Sequence, residues 1–151
     1  MMKPNGILFD EYQSGQTFHT DRRTITETDH VNFTTAFGFF EPLFMDQAYV
    51  ETRTPYKKRI VPGALTFSVA EGLTILSGIL HGTGMALLGV DLNIRQPVFI
   101  GDTLMVTIQV DELRETSKPD RGIVTYTHRV TNQHEATVME YTVKRMIRRR
   151  A

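Results

Sequence analysis

Few residues in this chain are spaced to do chemistry together. It has no cysteine, which removes thiolate metal sites and a cysteine nucleophile and suits a reducing compartment such as the cytoplasm. His30, His81 and His128 stand singly, no His/Asp/Glu group has metal-ligand spacing, and neither a Gly-x-Ser-x-Gly elbow nor a Gly-rich phosphate loop occurs. Two carboxylates stand out. Glu41 lies in Phe39-Phe40-Glu41-Pro42-Leu43-Phe44, where burial beside aromatic rings would raise its pKa toward neutrality and fit it to move a proton. Glu71 is the single charge inside the one long apolar run, residues 62–80. Just ahead of that run stands Lys57-Lys58-Arg59. If the run is a helix, its free amides and these charges would add at a bound anion, although a solvated basic turn fits the same residues.

The elements that must position these groups follow from the pattern. Residues 62–80 begin at a proline, which a first helical turn accepts, and end in His81-Gly82-Thr83-Gly84. That predicts a helix of about 28 Å. Leu65, Phe67, Val69, Leu73, Ile75, Leu76, Ile79 and Leu80 lie nearly all round its axis, so it is expected to be covered on most sides. Gly63, Ala64, Ser68 and Gly72 recur at about four-residue spacing and allow a strand, a second subunit or a flat ligand to approach closely. Glu71 and the short polar residues of the run argue against a membrane span.

Upstream, residues 16–25 read as a first strand, and Thr26 with Asp29 caps a short helix over about 27–36 that turns Val31, Phe33 and Phe37 inward. Asp46 caps a second short helix over 47–51, closed by Thr54-Pro55. Downstream the period changes to two. Strands are predicted over 85–97, 103–114, 123–130 and 136–147, with Leu104, Val106, Ile108 and Val110 sharing one face and Met139, Tyr141 and Val143 another. Consecutive strands with tight turns make an antiparallel meander, best satisfied by curling round the apolar helix. The chain of 151 residues is read as a single α+β domain.

Seventeen basic and seventeen acidic residues balance, so no global field draws the protein to nucleic acid. The terminal Lys144-Arg145-Met146-Ile147-Arg148-Arg149-Arg150 reads as a strand running into a solvated tail in preference to a phosphate site. The first twelve residues lack a signal-peptide core, and a cytoplasmic location is expected.

Several short motifs, in order, resemble the MaoC-like dehydratases, the hot-dog-fold family that includes the (R)-specific enoyl-CoA hydratases. They are Arg23-Thr24-Ile25-Thr26-Glu27 with Asp29 and Phe33; Gly38, Pro42-Leu43 and Asp46; Thr54-Pro55, Arg59-Ile60 and Gly63 with Leu65-Thr66 and Ser68; then Pro97-Val98, Gly101-Asp102-Thr103-Leu104 and Asn132-Gln133. The resemblance implies a hot-dog fold, an antiparallel sheet of about five strands wrapped around the long central helix. It also implies an acyl-thioester groove and chemistry carried by a loop close to G-D-x-N-P-L-H-x-D. Here Phe39 stands at the aspartate position, Glu41 at the asparagine position and Phe44 at the histidine position. The usual His-Gly before the helix has become Pro62-Gly63. Adding water across a conjugated double bond needs a base for the water and an acid for the carbon, and loss of either removes about 10²–10⁴-fold.

Two expectations follow. In the first the chain keeps the acyl-CoA groove without the reaction, as a non-catalytic or partner subunit. Gly63 and Ser68 would then line the groove, and Lys57, Lys58, Arg59 and Arg95 would face the coenzyme A phosphates. It would act as a homodimer or higher oligomer, or pair with a hot-dog chain that carries the dyad. No cofactor beyond the coenzyme A of the ligand, no metal, no nucleic acid and no membrane is expected. In the second, a hydratase, dehydratase or thioesterase of altered mechanism uses Glu41 or Glu71. Glu71 falls three residues beyond the acidic position that some related dehydratases use on this helix, where Ser68 stands, and an arginine partner is the commoner fate of such a glutamate.

Overall fold

The computed structural model describes residues 6–150; residues 1–5, part of the segment read for a leader, lie outside it. Strands β1 (Thr17–His19) and β2 (Arg23–Thr24) precede helices α1 (Glu27–Phe37), α2 (Pro42–Met45), α3 (Gln47–Arg53) and α4 (Gly63–Leu76). Strands β3 (Gly84–Ile94), β4 (Thr103–Glu115), β5 (Arg121–Thr131) and β6 (Thr137–Arg148) follow. All pairings are antiparallel, in the order β1-β4-β5-β6-β3, with β2 also on β4. This is the hot-dog architecture expected from the sequence.

The alternation in β4 does what the pattern predicts. Leu104, Val106, Ile108 and Val110 are fully buried, and Val124, Tyr126, Val130, Met139, Tyr141 and Val143 meet them from β5 and β6. Against this layer α4 lays Leu65, Val69 and Leu73. Thr26 Oγ1 accepts from the Asp29 amide at 3.1 Å while Asp29 Oδ2 accepts from the Thr26 amide at 2.9 Å, the reciprocal cap at the start of α1. That amide, helped by Arg23, holds the Asp29 carboxyl below the usual carboxylate range.

Four expectations are corrected. The predicted first strand is two pieces, because the chain turns at residues 20–22, where the buried Thr20 hydroxyl accepts from the Val106 amide. The meander is incomplete: β3 does not pair with β4 but crosses to the far edge and pairs with β6. The central helix is about 21 Å long, not 28, because Gly78 adopts a left-handed φ of 85° just past its end and takes the chain out of the helix before the later glycines are reached. It is also covered on one side only, with Ile75 and Leu76 more than half exposed beside Ala64, Ser68 and Gly72.

Smaller corrections concern the two ends of the chain. In α1 the buried residues are His30 and Thr34, while Val31 and Phe37 face outward. The basic C-terminus is not a free solvated tail. Arg149 bonds Asp10 at 2.8 Å and Glu115 at 3.2 Å, the Arg150 amide donates to Asp10, and Arg145 turns into the protein.

The packing leaves β3 as a bare edge. Met85, Leu87, Leu88, Val90 and Ile94 are all exposed, and Leu87 shares a shallow hollow with Ile75 of α4.

Candidate functional site

The loop at residues 38–46 is held from both ends. Gly38, at φ 75°, ends α1, and the Phe39 amide donates to the Thr34 carbonyl at 2.8 Å. Pro42 opens the single turn of α2, and Asp46 caps α3 by accepting from the Tyr49 amide at 2.9 Å. In the middle, the buried His30 Nε2–H donates to the Phe44 carbonyl at 2.8 Å. The rings of Phe33, Phe39 and Phe44 follow one another at 5.2 Å and 6.3 Å, an aromatic chain that sets where Phe44 points.

Phe44 borders a cavity of about 120 Å³ between this loop, the start of α4, the end of β3 and β6. Ile60, Val61, Ile94, Val98 and Met139 make most of its apolar wall, Gln96 stands at its rim, and Gly63 and Thr66 face it from α4. Gly63 lets the Ile94 side chain lie close to the helix: a β-carbon there would come within 2.6 Å of Ile94 Cδ1, the end of an exposed side chain that would have to turn away. No ionisable side chain lines this cavity.

The carboxylates named from the sequence lie elsewhere. Glu41 is exposed, precedes α2 and makes no side-chain cap to it. Glu71 points from α4 into a polar cluster under the helix. It accepts from Tyr141 Oη at 2.7 Å and from Arg145 Nη2 at 2.7 and 2.8 Å. His128 Nδ1 lies 3.9 Å from it, with the imidazole tilted against Tyr141 at 4.6 Å between ring centres. Burial, and then the Arg145 charge, push the His128 pKa down to about 3, so this contact is with a neutral ring and is no ion pair. Burial first, then the Glu71 charge, push the Tyr141 phenol upward. The cluster can hold a charge in place; with its carboxylate spent on two donors, it is not set up to activate water.

The other predicted residues are scattered among partners. Arg59 binds the Glu27 carboxylate at 2.7 Å, Lys57 Nζ donates to the Glu51 carbonyl, and Lys58 lies 4.7 Å over the Phe99 ring. Arg95 reaches Glu140 at 3.8 Å. The Ser68 hydroxyl donates to Ala64 on the exposed side of α4. Among the described residues no group of three or more His, Asp or Glu side chains forms a metal site, and no helix is long and apolar enough to cross a membrane.

Sequence reasoning missed Thr66, whose type gave no sign, and the partners of Glu71, which did leave one. Strand alternation puts Arg145 on the same face as Tyr141 and Val143, and an arginine on a buried face requires an acid.

Comparison with known proteins fits this geometry. The family model described as MaoC like domain matches residues 11–132. The (R)-specific enoyl-CoA hydratase of Aeromonas caviae is 38% identical over 94 residues, which are 62% of this chain and 65% of that protein. This chain spans 33–65% of the length of three curated relatives that it matches. A solved structure described as a monoamine oxidase regulatory protein from Archaeoglobus fulgius is 30% identical, covers 100% of both chains and superposes with a TM-score of 0.90. A Mycobacterium tuberculosis protein described as having a double hotdog fold shares the fold at a TM-score of 0.81 and 21% identity, over 99% of this chain and 46% of that one.

Proposed function

Since this chain belongs to the MaoC-like domain family, we propose that it binds an acyl thioester, with acyl-coenzyme A as the form taken, and does not perform the ordinary addition of water. The observation that carries this is the partly open cavity beside Phe44, walled mostly by apolar side chains and lined by no ionisable group. Phe39 and Phe44 stand where the family's loop has its acid and base. Both halves of proton transfer are therefore missing, each worth about 10²–10⁴-fold. Relatives named as hydratases and dehydratases of coenzyme A esters support the ligand class.

In this reading the thioester lies against the first turn of α4 at Gly63, with Ser68 farther along the helix. Lys57, Lys58, Arg59 and Arg95 are the cations offered to the coenzyme A phosphates, Lys58 and Arg95 being exposed enough to turn toward them. The bare β3 edge and the exposed side of α4 support assembly with a second copy, or with a hot-dog chain that carries the missing dyad. A cytoplasmic location, where acyl-coenzyme A is at hand, belongs to the same reading.

Calorimetric titration with butyryl-CoA, together with hydration and hydrolysis assays over a panel of enoyl- and acyl-CoA esters, tests it. Binding without turnover is expected. Turnover that falls with Glu41→Gln or Glu71→Gln would instead establish an enzyme of altered mechanism, and copurification distinguishes a homodimer from a pair with a dyad-bearing chain.

A further inference from the structure

Residues 35–49 run between the buried Thr34 and the buried Val50, and none of them is fully buried. Inside this stretch α2 is a single turn with no buried residue and no side-chain cap at its start, the kind of segment that opens without the rest of the fold. One group reaches it from the interior. His30 on α1 is 0% exposed, and its Nε2–H donates to the Phe44 carbonyl at 2.8 Å. A helix leaves its last carbonyls without partners, and among the described residues this is the one hydrogen bond that joins α2 to α1, to α4 or to the sheet.

The other ring nitrogen makes no such bond. His30 Nδ1 is buried without a hydrogen-bond partner. Burying an imidazole costs the hydration of both nitrogens, and only Nε2 recovers any of it. An apolar residue of similar size would therefore fill the interior at least as well, but it would not hold the Phe44 carbonyl. We propose that His30 is a latch: a positioning residue that keeps α2 closed on the cavity beside Phe44, with α2 a hinged wall that gives way as a ligand enters or leaves. The wall is bounded by Gly38 at its left-handed φ of 75° and by Asp46, whose extended backbone separates α2 from α3. Closure sets the Phe44 ring against the cavity, with Phe39 and Phe33 behind it. That the ligand is an acyl thioester rests on the reading above, whereas the latch rests on the His30 bond alone.

The test is amide hydrogen exchange, followed by NMR on the full chain, for the wild type, His30→Leu and His30→Gln, without ligand and with excess butyryl-CoA. The amides to follow are those of Phe44, Met45 and Asp46, which close the turn onto the Glu41 and Pro42 carbonyls, with the amides of β4, β5 and β6 as the reference. Without ligand, His30→Leu is expected to speed exchange of these three about three- to tenfold, the worth of one neutral hydrogen bond. The strand amides should be no faster. Glutamine, whose side-chain amide can donate where Nε2 did, should keep the wild-type rates. Butyryl-CoA should slow the three amides in the wild type, and the nitrogen-15 shifts of its His30 ring should show the proton on Nε2 and none on Nδ1. Equal rates in the wild type and His30→Leu overturn the proposal. So does a matching rise in the strand amides, which would make the ring a support of the whole fold. If the leucine variant fails to fold, the wild type decides: a proton on Nδ1 in place of Nε2, or butyryl-CoA that binds without slowing the three amides, overturns the latch. Failure of butyryl-CoA to bind at all overturns the acyl-thioester reading alone, and the ligand-free rates still decide the latch.

Discussion

The aromatic loop at residues 38–46 and the polar cluster beneath α4 divide what an acid–base site needs in one place. The loop has the cavity and no proton carrier: its walls are apolar, and Glu41 stands outside them. The cluster has the ionisable groups, but they are committed to one another. Glu71 is held by Tyr141 and Arg145, and His128 is kept neutral by burial. Chemical type alone is therefore a poor guide to a site, since the same carboxylate is a candidate base or a counter-ion according to what is packed against it.

The largest test of this division is acid stability. An unfolded His128 takes up a proton near pH 6.5, the folded one only near about 3. Above pH 6.5 neither state is charged there and the contribution is fully present. As pH falls below 6.5 only the unfolded chain gains the proton, so stability is lost down to about pH 3, by on the order of 5 kcal/mol. Urea unfolding from pH 7 to 4 should show this slope, and His128→Phe should flatten it. Parallel slopes would mean that the imidazole is not sealed in.

Next in size is Glu71→Gln, which leaves Arg145 buried without its charge partner and should lower unfolding stability by about 3 kcal/mol. A loss under about 1 kcal/mol would show the carboxylate free for other work. On the loop side Phe44→Ala should cost about 2 kcal/mol, less than a fully buried phenylalanine because this one is only half-buried. The variant should also bind octanoyl-CoA more tightly as the cavity lengthens. Smallest is Glu41→Gln, expected to change stability by less than about 0.5 kcal/mol and to leave thioester affinity unaltered.

Local signals in the sequence were read correctly where the physics is local. The Thr26–Asp29 cap, the Asp46 cap and the two-residue period of β4 each depend on neighbours a few positions away, and each stands in the structure. The errors arose where distant parts of the chain decide. Nothing in residues 85–97 says that their partner is β6 and not β4. Likewise, Val31 and Phe37 look like core residues until His30 is seen bonded to the Phe44 carbonyl fourteen residues on. The aromatic loop was found from residue types, but its cavity and the buried Thr66 on the cavity wall come from how four separate elements close around it. Arg145 was placed in the last strand but read with its basic neighbours as the start of a solvated end, because they masked the alternation that buries it.

The uncovered edge of β3 bears on how the protein's robustness should be described. Under the proposed assembly with a second chain, the row of unmatched backbone groups flanked by Leu87, Leu88 and Val90 makes the lone folded chain only one term in an association equilibrium. By mass action, its melting temperature is then no fixed constant and climbs as the solution is made more concentrated.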